Sequence, residues 1–147
     1  MKAVIQRVKR ATVRAGELEA AIGPGLLVLA GLETGDTVET CAWAAAKIAS
    51  LRIFEDAEGK MNLAVGDVGG SLLLVSQFTL FADARKGRRP SYDLAAPAET
   101  ARPLYERALA RARESVLAEA GVFQASMRVA YVNEGPVTIL LDSKRIF

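Results

Sequence analysis

The chain has no histidine, a single cysteine (Cys41) and few aromatic residues, 6% of its 147. The first absence excludes the most. A histidine general base, a Ser-His-Asp or Cys-His pair and a histidine-ligated zinc are ruled out before any motif is considered. One cysteine forms no disulfide within the chain and no cysteine-rich metal cluster, so a reducing, cytoplasmic setting is expected. Apolar residues make up 51% of the sequence, yet no run approaches the ~18 that a membrane-spanning helix requires. Polar residues interrupt the start, Met1-Lys2-Ala3-Val4-Ile5-Gln6-Arg7, too early for a secretory hydrophobic segment. A soluble intracellular protein with no membrane partner is expected. Charge of one sign is scarce too, with 19 Lys and Arg against 17 Asp and Glu. Only its distribution is informative: Arg85, Lys86, Arg88 and Arg89 cluster around Gly87, as a solvated loop or a phosphate-contacting one would.

A chain of this length forms one domain, residues 1–147, that buries roughly 68–70% of the surface its unfolded form exposes. The first thirty residues read as strands, with a turn at Gly16 and a buried run Leu26–Ala30 after Gly23-Pro24-Gly25. Asp36 and Glu39 resemble a capping box, followed by Val38, Cys41, Ala42, Ala45, Ile48 and Ala49 at helical spacing. This predicts a helix of about thirteen residues with Cys41 as a packed core thiol. Leu51–Phe54 is expected to be a strand and Glu55–Lys60 a hairpin turn, its faint likeness to a calcium loop lacking the remaining oxygen ligands. Ser71–Val75 enters an apolar strand that ends in the polar stretch Ser76-Gln77-Phe78-Thr79. A long loop then carries the basic cluster and Pro90-Ser91-Tyr92. A second helix is expected from near Thr100, as its cap, to Ala120, with Gly121 as its stop. Its arginines, partly offset by glutamates, read as a solvated face or a tRNA-binding one. Strands Met127–Val132 and Val137–Leu141, joined by a tight Asn133-Glu134-Gly135-Pro136 connection, close the chain. Two helices among strands with hairpin-like connections at both ends predict an α/β fold of α+β type, with a mixed or antiparallel, barrel-like sheet.

Chemistry is expected at two places. Where a strand ends, backbone N–H groups leave the ladder and face a ligand, and the Ser76-Gln77-Phe78-Thr79 hydroxyls and amide add donors and acceptors suited to an oxyanion or a carbonyl. At Gly135-Pro136, glycine permits close backbone approach while proline removes an N–H and fixes φ, so the pair presents carbonyls in a stiff frame. Taken alone, each is also compatible with an ordinary strand end and an ordinary turn. No side-chain cluster argues for a metal or a cofactor.

Taken together, Gln6-Arg7-Val8, Arg52-Ile53-Phe54, Gly59-Lys60-Met61-Asn62-Leu63, Gly69-Gly70-Ser71, Ser76–Leu80, Arg89-Pro90-Ser91 and Val132–Thr138 resemble, in order and spacing, the D-aminoacyl-tRNA deacylases. The resemblance spans essentially the whole chain. It implies a cytoplasmic homodimer that hydrolyses the ester of D-aminoacyl-tRNA, and of glycine mischarged on tRNA, with no role for DNA. It further implies that Gly135 and Pro136, joined by a cis bond, enter the partner subunit's site as a chiral gate and that Arg7 orients this gate. Ser76, Gln77, Phe78 and Thr79 would form the catalytic pocket, with Ala101 on its wall. For Thr79 two roles stand open, as a nucleophile or as a positioning group beside the substrate's own ribose 2′-hydroxyl; no base lies near it in sequence, which favours the second. The basic cluster Arg85, Lys86, Arg88 and Arg89 would contact the acceptor stem. The fold also resembles an editing domain of some archaeal threonyl-tRNA synthetases, so two rivals remain: a module that binds aminoacyl-tRNA ends without cleaving them, and a hydrolase of small D-aminoacyl esters.

Overall fold

A computed structural model of the chain describes residues 1–145. Eight strands and two helices follow the order β1 (Lys2–Ala15), β2 (Leu18–Ile22), β3 (Gly25–Gly31), α1 (Val38–Ala49), β4 (Phe54–Glu55), β5 (Met61–Leu63), β6 (Ser71–Ser76), α2 (Ala98–Arg113), β7 (Ala118–Ala120) and β8 (Arg128–Asp142). The main sheet is mixed. β3, β6 and β7 run parallel, while β1 pairs antiparallel with β2 and β3 along one edge and with β8 along the other. β2 returns against β6 and β7, curling the sheet toward a barrel. Neither α1 nor α2 is long and apolar enough to cross a membrane.

Alternation along the parallel strands divides the core, because successive side chains point to opposite faces of a sheet. Leu26, Val28, Ala30, Leu72 and Leu74 pack with α1 and α2. Leu27, Leu73 and Val75 turn the other way, onto Val8, Ala11, Val13 and Ile22 inside the curl. Both faces of β3 and β6 are therefore covered, which explains their near-continuous apolar sequences. Small side chains, Ala44, Ala45, Ala108 and Ala112, are buried where the helices meet the sheet. Gly25 has no room for a side chain, since a β-carbon there would lie 1.9 Å from the Ser71 carbonyl oxygen.

Several local expectations are corrected. Thr37, not Asp36, caps α1, accepting from the Thr40 N–H through its hydroxyl. Asp36 is occupied elsewhere, by the Met1 ammonium and the Glu33 N–H. Val38 is exposed rather than part of the apolar stripe, whereas Cys41 is fully buried. Only Phe54 of the expected strand 51–54 is extended in a ladder. α2 begins after Pro97 and ends at Arg113; Ala118–Ala120 joins β6 as a strand instead of prolonging the helix. Pro103 therefore lies within α2, on its exposed face, where water can meet the carbonyl that loses its N–H partner. Finally, the two closing strands are one. Arg128–Asp142 pairs along β1 from Lys2 to Arg14, and the expected Asn133–Pro136 connection is a bulge of residues 134–137 in that strand rather than a hairpin, with Asn133 itself paired to Val8.

Candidate functional site

The polar stretch after β6 is held by its neighbours on β3. Only Ser76 is still in the strand; the Gln77 N–H donates to the Ala30 carbonyl (2.8 Å) as the last bond of the pairing, and Phe78–Phe81 forms a 3₁₀ turn. Gly31 lets this turn approach, since a β-carbon there would meet the Gln77 carbonyl oxygen at 2.8 Å. A 3₁₀ turn leaves its first N–H groups without internal acceptors, and here these belong to Phe78 and Thr79. They sit beside a cleft of about 470 Å³ lined by Ser76, Gln77, Phe78 and Tyr92 and widened by six alanines, Ala101 among them. Among the described residues, no side chain that lines it is charged.

The long loop is a small hairpin whose base adjoins this cleft. Backbone bonds between Asp83 and Ser91 (2.8 and 3.0 Å) close it. Tyr92 at its base meets the exposed Phe78 ring edge to face, with centroids 5.1 Å apart. Gly87, at φ +79°, turns the tip, and Lys86, Arg88 and Arg89 are exposed around it. Arg85 is tied down: its guanidinium donates to both carboxylate oxygens of Asp83 (2.9 and 2.6 Å). That contact and the Arg85 backbone N–H hold the Asp83 carboxyl down at about 2.

The second expected place of chemistry lies outside the cleft. Between the pairs Gln6–Thr138 and Val8–Asn133, β1 advances two residues and β8 five, so residues 134–137 are thrown out of the ladder. Three side chains rigidify this bulge. Asn133 spans its neck, accepting from the Val137 N–H (3.0 Å) and donating to the Val137 carbonyl (3.3 Å). Gln6 donates to the Thr138 hydroxyl at 3.1 Å. Arg7, buried beneath it, donates from Nε to the Glu134 carbonyl (3.0 Å) and from Nη1 to the Ile53 carbonyl (2.8 Å). The Gly135–Pro136 bond is cis, and Gly135 sits at φ +141°. Arg7 pairs with Leu26, four residues along β3 from the cleft residue Ala30, or roughly 13 Å at the rise of a strand. Neither Gly135 nor Pro136 lines the chain's own cleft.

Residues 4–142 match the D-Tyr-tRNA(Tyr) deacylase family. The chain belongs to that family, one of hydrolases. It is 56% identical to the D-aminoacyl-tRNA deacylase of Desulfitobacterium hafniense (strain Y51) and 57% identical to that of Anaeromyxobacter dehalogenans (strain 2CP-C), each over 149 aligned positions covering 100% of both chains. Among solved structures it is similar to a c-Myc DNA unwinding element binding protein, with a TM-score of 0.90 at 42% identity over 97% of this chain and 98% of the other. A probable eukaryotic D-amino acid tRNA deacylase shares the fold, with a TM-score of 0.79 at 15% identity over 95% of this chain and 97% of the other.

Within this deacylase fold, Ser76, Gln77, Phe78 and Ala101 come together around one cleft. Thr79 stands one residue beyond the lining, its hydroxyl accepting from the Gln77 carboxamide. The basic tip shares a hairpin with the cleft residue Tyr92. Sequence reasoning missed the wall formed by Phe123, Gln124, Ala125 and Met127. Nothing local marks residues 122–126, which read as a connector between a helix stop at Gly121 and a strand from Met127; they reach the cleft only because β7 ends on β6 and β8 begins on the far side of β1.

Proposed function

We propose that the chain hydrolyses the ester joining a D-amino acid to the terminal ribose of tRNA, releasing free D-amino acid and tRNA in the cytoplasm, and that it treats glycyl-tRNA likewise. The observation that carries the reading is the pair of unengaged N–H groups at Phe78 and Thr79, beside an uncharged cleft, in a chain matched end to end by D-aminoacyl-tRNA deacylases. An aminoacyl ester needs no strong base. Two fixed donors at the developing oxyanion and a held geometry supply most of what is required, and one such donor typically contributes ~10²–10³ in rate. Thr79 then acts as a positioning group, its hydroxyl engaged with Gln77, while the ribose 2′-hydroxyl assists the attacking water. Ser76 and Gln77 bind the substrate, and Lys86, Arg88 and Arg89, with Arg85 behind them, meet the acceptor stem.

Chirality requires a second copy. Gly135 and Pro136 are rigidly carried yet remote from their own cleft, which suits insertion into the site of a partner in a homodimer. Fixed carbonyls facing the substrate's α-carbon reject an L side chain by overlap, so discrimination arises from repulsion rather than from added attraction to the D form. Glycine has no side chain to reject and passes.

Matched D- and L-tyrosyl-tRNA and D-tyrosine ethyl ester, each incubated with the purified chain, test the reading. Rapid loss of D-tyrosyl-tRNA alone is expected. Comparable cleavage of the ethyl ester would favour a small-ester hydrolase, and binding without turnover would favour a carrier of aminoacyl-tRNA ends. Thr79→Ala should retain most of its activity on substrate with an intact 2′-hydroxyl; collapse with tRNA binding preserved would make Thr79 the nucleophile.

A further inference from the structure

Gln124 combines an unfavourable backbone with a position at the cleft. Ala125 N–H donates to the Val122 carbonyl (3.2 Å), closing a turn in which Gln124 is the third residue, at φ +65°. That position and sign of φ suit glycine or asparagine, because the β-carbon of other L residues crowds the following carbonyl. The turn is nonetheless held firmly. Phe123 packs against the Tyr105 ring (5.4 Å) and under the Arg102 guanidinium (5.0 Å). Tyr105 in turn donates from its buried hydroxyl to the Leu74 carbonyl (2.8 Å). An exposed glutamine is thus fixed in a conformation that glycine would adopt more readily, on the wall of the cleft. Backbone strain of this kind clusters at ligand contacts.

The chemistry of the wall indicates what it meets. Among the described residues, Ser76, Gln77, Tyr92 and Gln124 alone bring polar side chains to the cleft, and the first two adjoin the N–H groups at the ester. Gln124 stands between Phe123 and Ala125, with Met127 beyond, on an otherwise apolar wall suited to a flat heterocycle. A carboxamide donates and accepts side by side, and adenine offers the complementary pair, the N7 acceptor next to the N6 amino donor. We infer that Gln124 is a substrate-specificity residue that holds the terminal adenine of tRNA by its N6/N7 edge. This inference rests on the deacylase reading.

The test compares the unaltered chain with Gln124→Gly, on D-tyrosyl-tRNA ending in adenosine or in 7-deazaadenosine, where a C–H replaces N7. Glycine suits the turn, so the thermal midpoint of the variant should not fall. The unaltered chain should lose roughly 3- to 10-fold in kcat/KM on the deaza substrate, the worth of one hydrogen bond. Gln124→Gly should lose at least as much on the adenosine substrate, chiefly through KM, and be indifferent to the deaza change. Equal sensitivity of both proteins to the deaza change, or full activity of Gln124→Gly, would overturn the inference. No turnover of D-tyrosyl-tRNA by the unaltered chain would instead overturn the deacylase reading, and this inference with it.

Discussion

Arg7→Lys is the most informative single change. The Arg7 side chain is only 10% exposed and bridges two carbonyls far apart in the chain, Glu134 in the bulge and Ile53 before β4. Hydrogen bonds from a charged donor contribute about 1.5–3 kcal/mol each. Lysine keeps the charge but loses the fork, so it reaches one carbonyl at a time, and the variant should be destabilised by about 1.5–3 kcal/mol. The contact with Glu55 adds little, because it is long (3.7 Å) and Glu55 is 59% exposed. Arg7→Met, which leaves both carbonyls unmet, would consume a large share of a total stability of about 5–15 kcal/mol and is a poorer probe. If the lost bond is the one to Glu134, the same energy shifts the balance between a held and a displaced gate by about 10- to 100-fold, since about 1.4 kcal/mol is a factor of ten. Urea unfolding gives the stability loss, and single-turnover deacylation of D- and L-tyrosyl-tRNA gives the selectivity. The D-over-L ratio should fall by about tenfold or more, mainly through a faster L reaction. A lower unfolding midpoint with an unchanged ratio would refute the orienting role, and an unchanged midpoint would refute the bonding itself.

Three further outcomes are expected. Gly31→Ala places a methyl group against the Gln77 carbonyl and should displace the Phe78 and Thr79 N–H donors, lowering kcat by about tenfold or more with the chain still folded by circular dichroism; unchanged kcat would show that the turn does not depend on this approach. Replacing Lys86, Arg88 and Arg89 by glutamine should weaken tRNA binding without sequence preference and reduce the log–log salt slope by about two, whereas Arg85→Gln, already neutralised by Asp83, should do less; an unchanged slope in the triple variant would remove the loop from the interface. Burial, aided by the Asp36 charge and opposed by the N-terminal ammonium, pushes the Cys41 thiol from 9.0 up to about 11. Its folded value is raised, so its contribution to stability is complete below the unfolded value and is lost as pH rises through the folded one. The stability of the unaltered chain relative to Cys41→Ala should therefore decline between about pH 9 and 11, as denaturation at several pH values would reveal; parallel profiles would contradict the burial.

The histidine-free composition bears on the pH profile of the reaction too. The proposed catalytic groups, backbone N–H donors, a hydroxyl and the substrate's ribose, require no side chain titrating near neutrality. A protein-derived inflection near pH 6.5 would demand a strongly shifted carboxylate, and the cleft is lined by none.

Local sequence alone determined what depends on near neighbours. The β1–β2 hairpin follows from Gly16, which takes φ +60° where the turn demands it. β3 and β6 follow from their apolar runs, and α1 from the spacing of Cys41, Ala45 and Ile48. The cleft residues Ser76, Gln77 and Phe78 are legible because a polar stretch interrupts an apolar strand. What tertiary structure decided was each place where a distant partner outbid the local preference. Asp36 is withdrawn from capping by the Met1 ammonium, and Ala118–Ala120 leaves the helical pattern because the free edge of β6 accepts its backbone. Asn133–Pro136 reads as a turn, yet the strands on either side lie in line on β1, so the turn becomes a bulge propped from below by Arg7. The wall of Phe123 and Gln124 is the extreme case: a connector acquires a role only through where its two ends are paired, and backbone pairing between segments far apart in the chain leaves no periodicity in either of them.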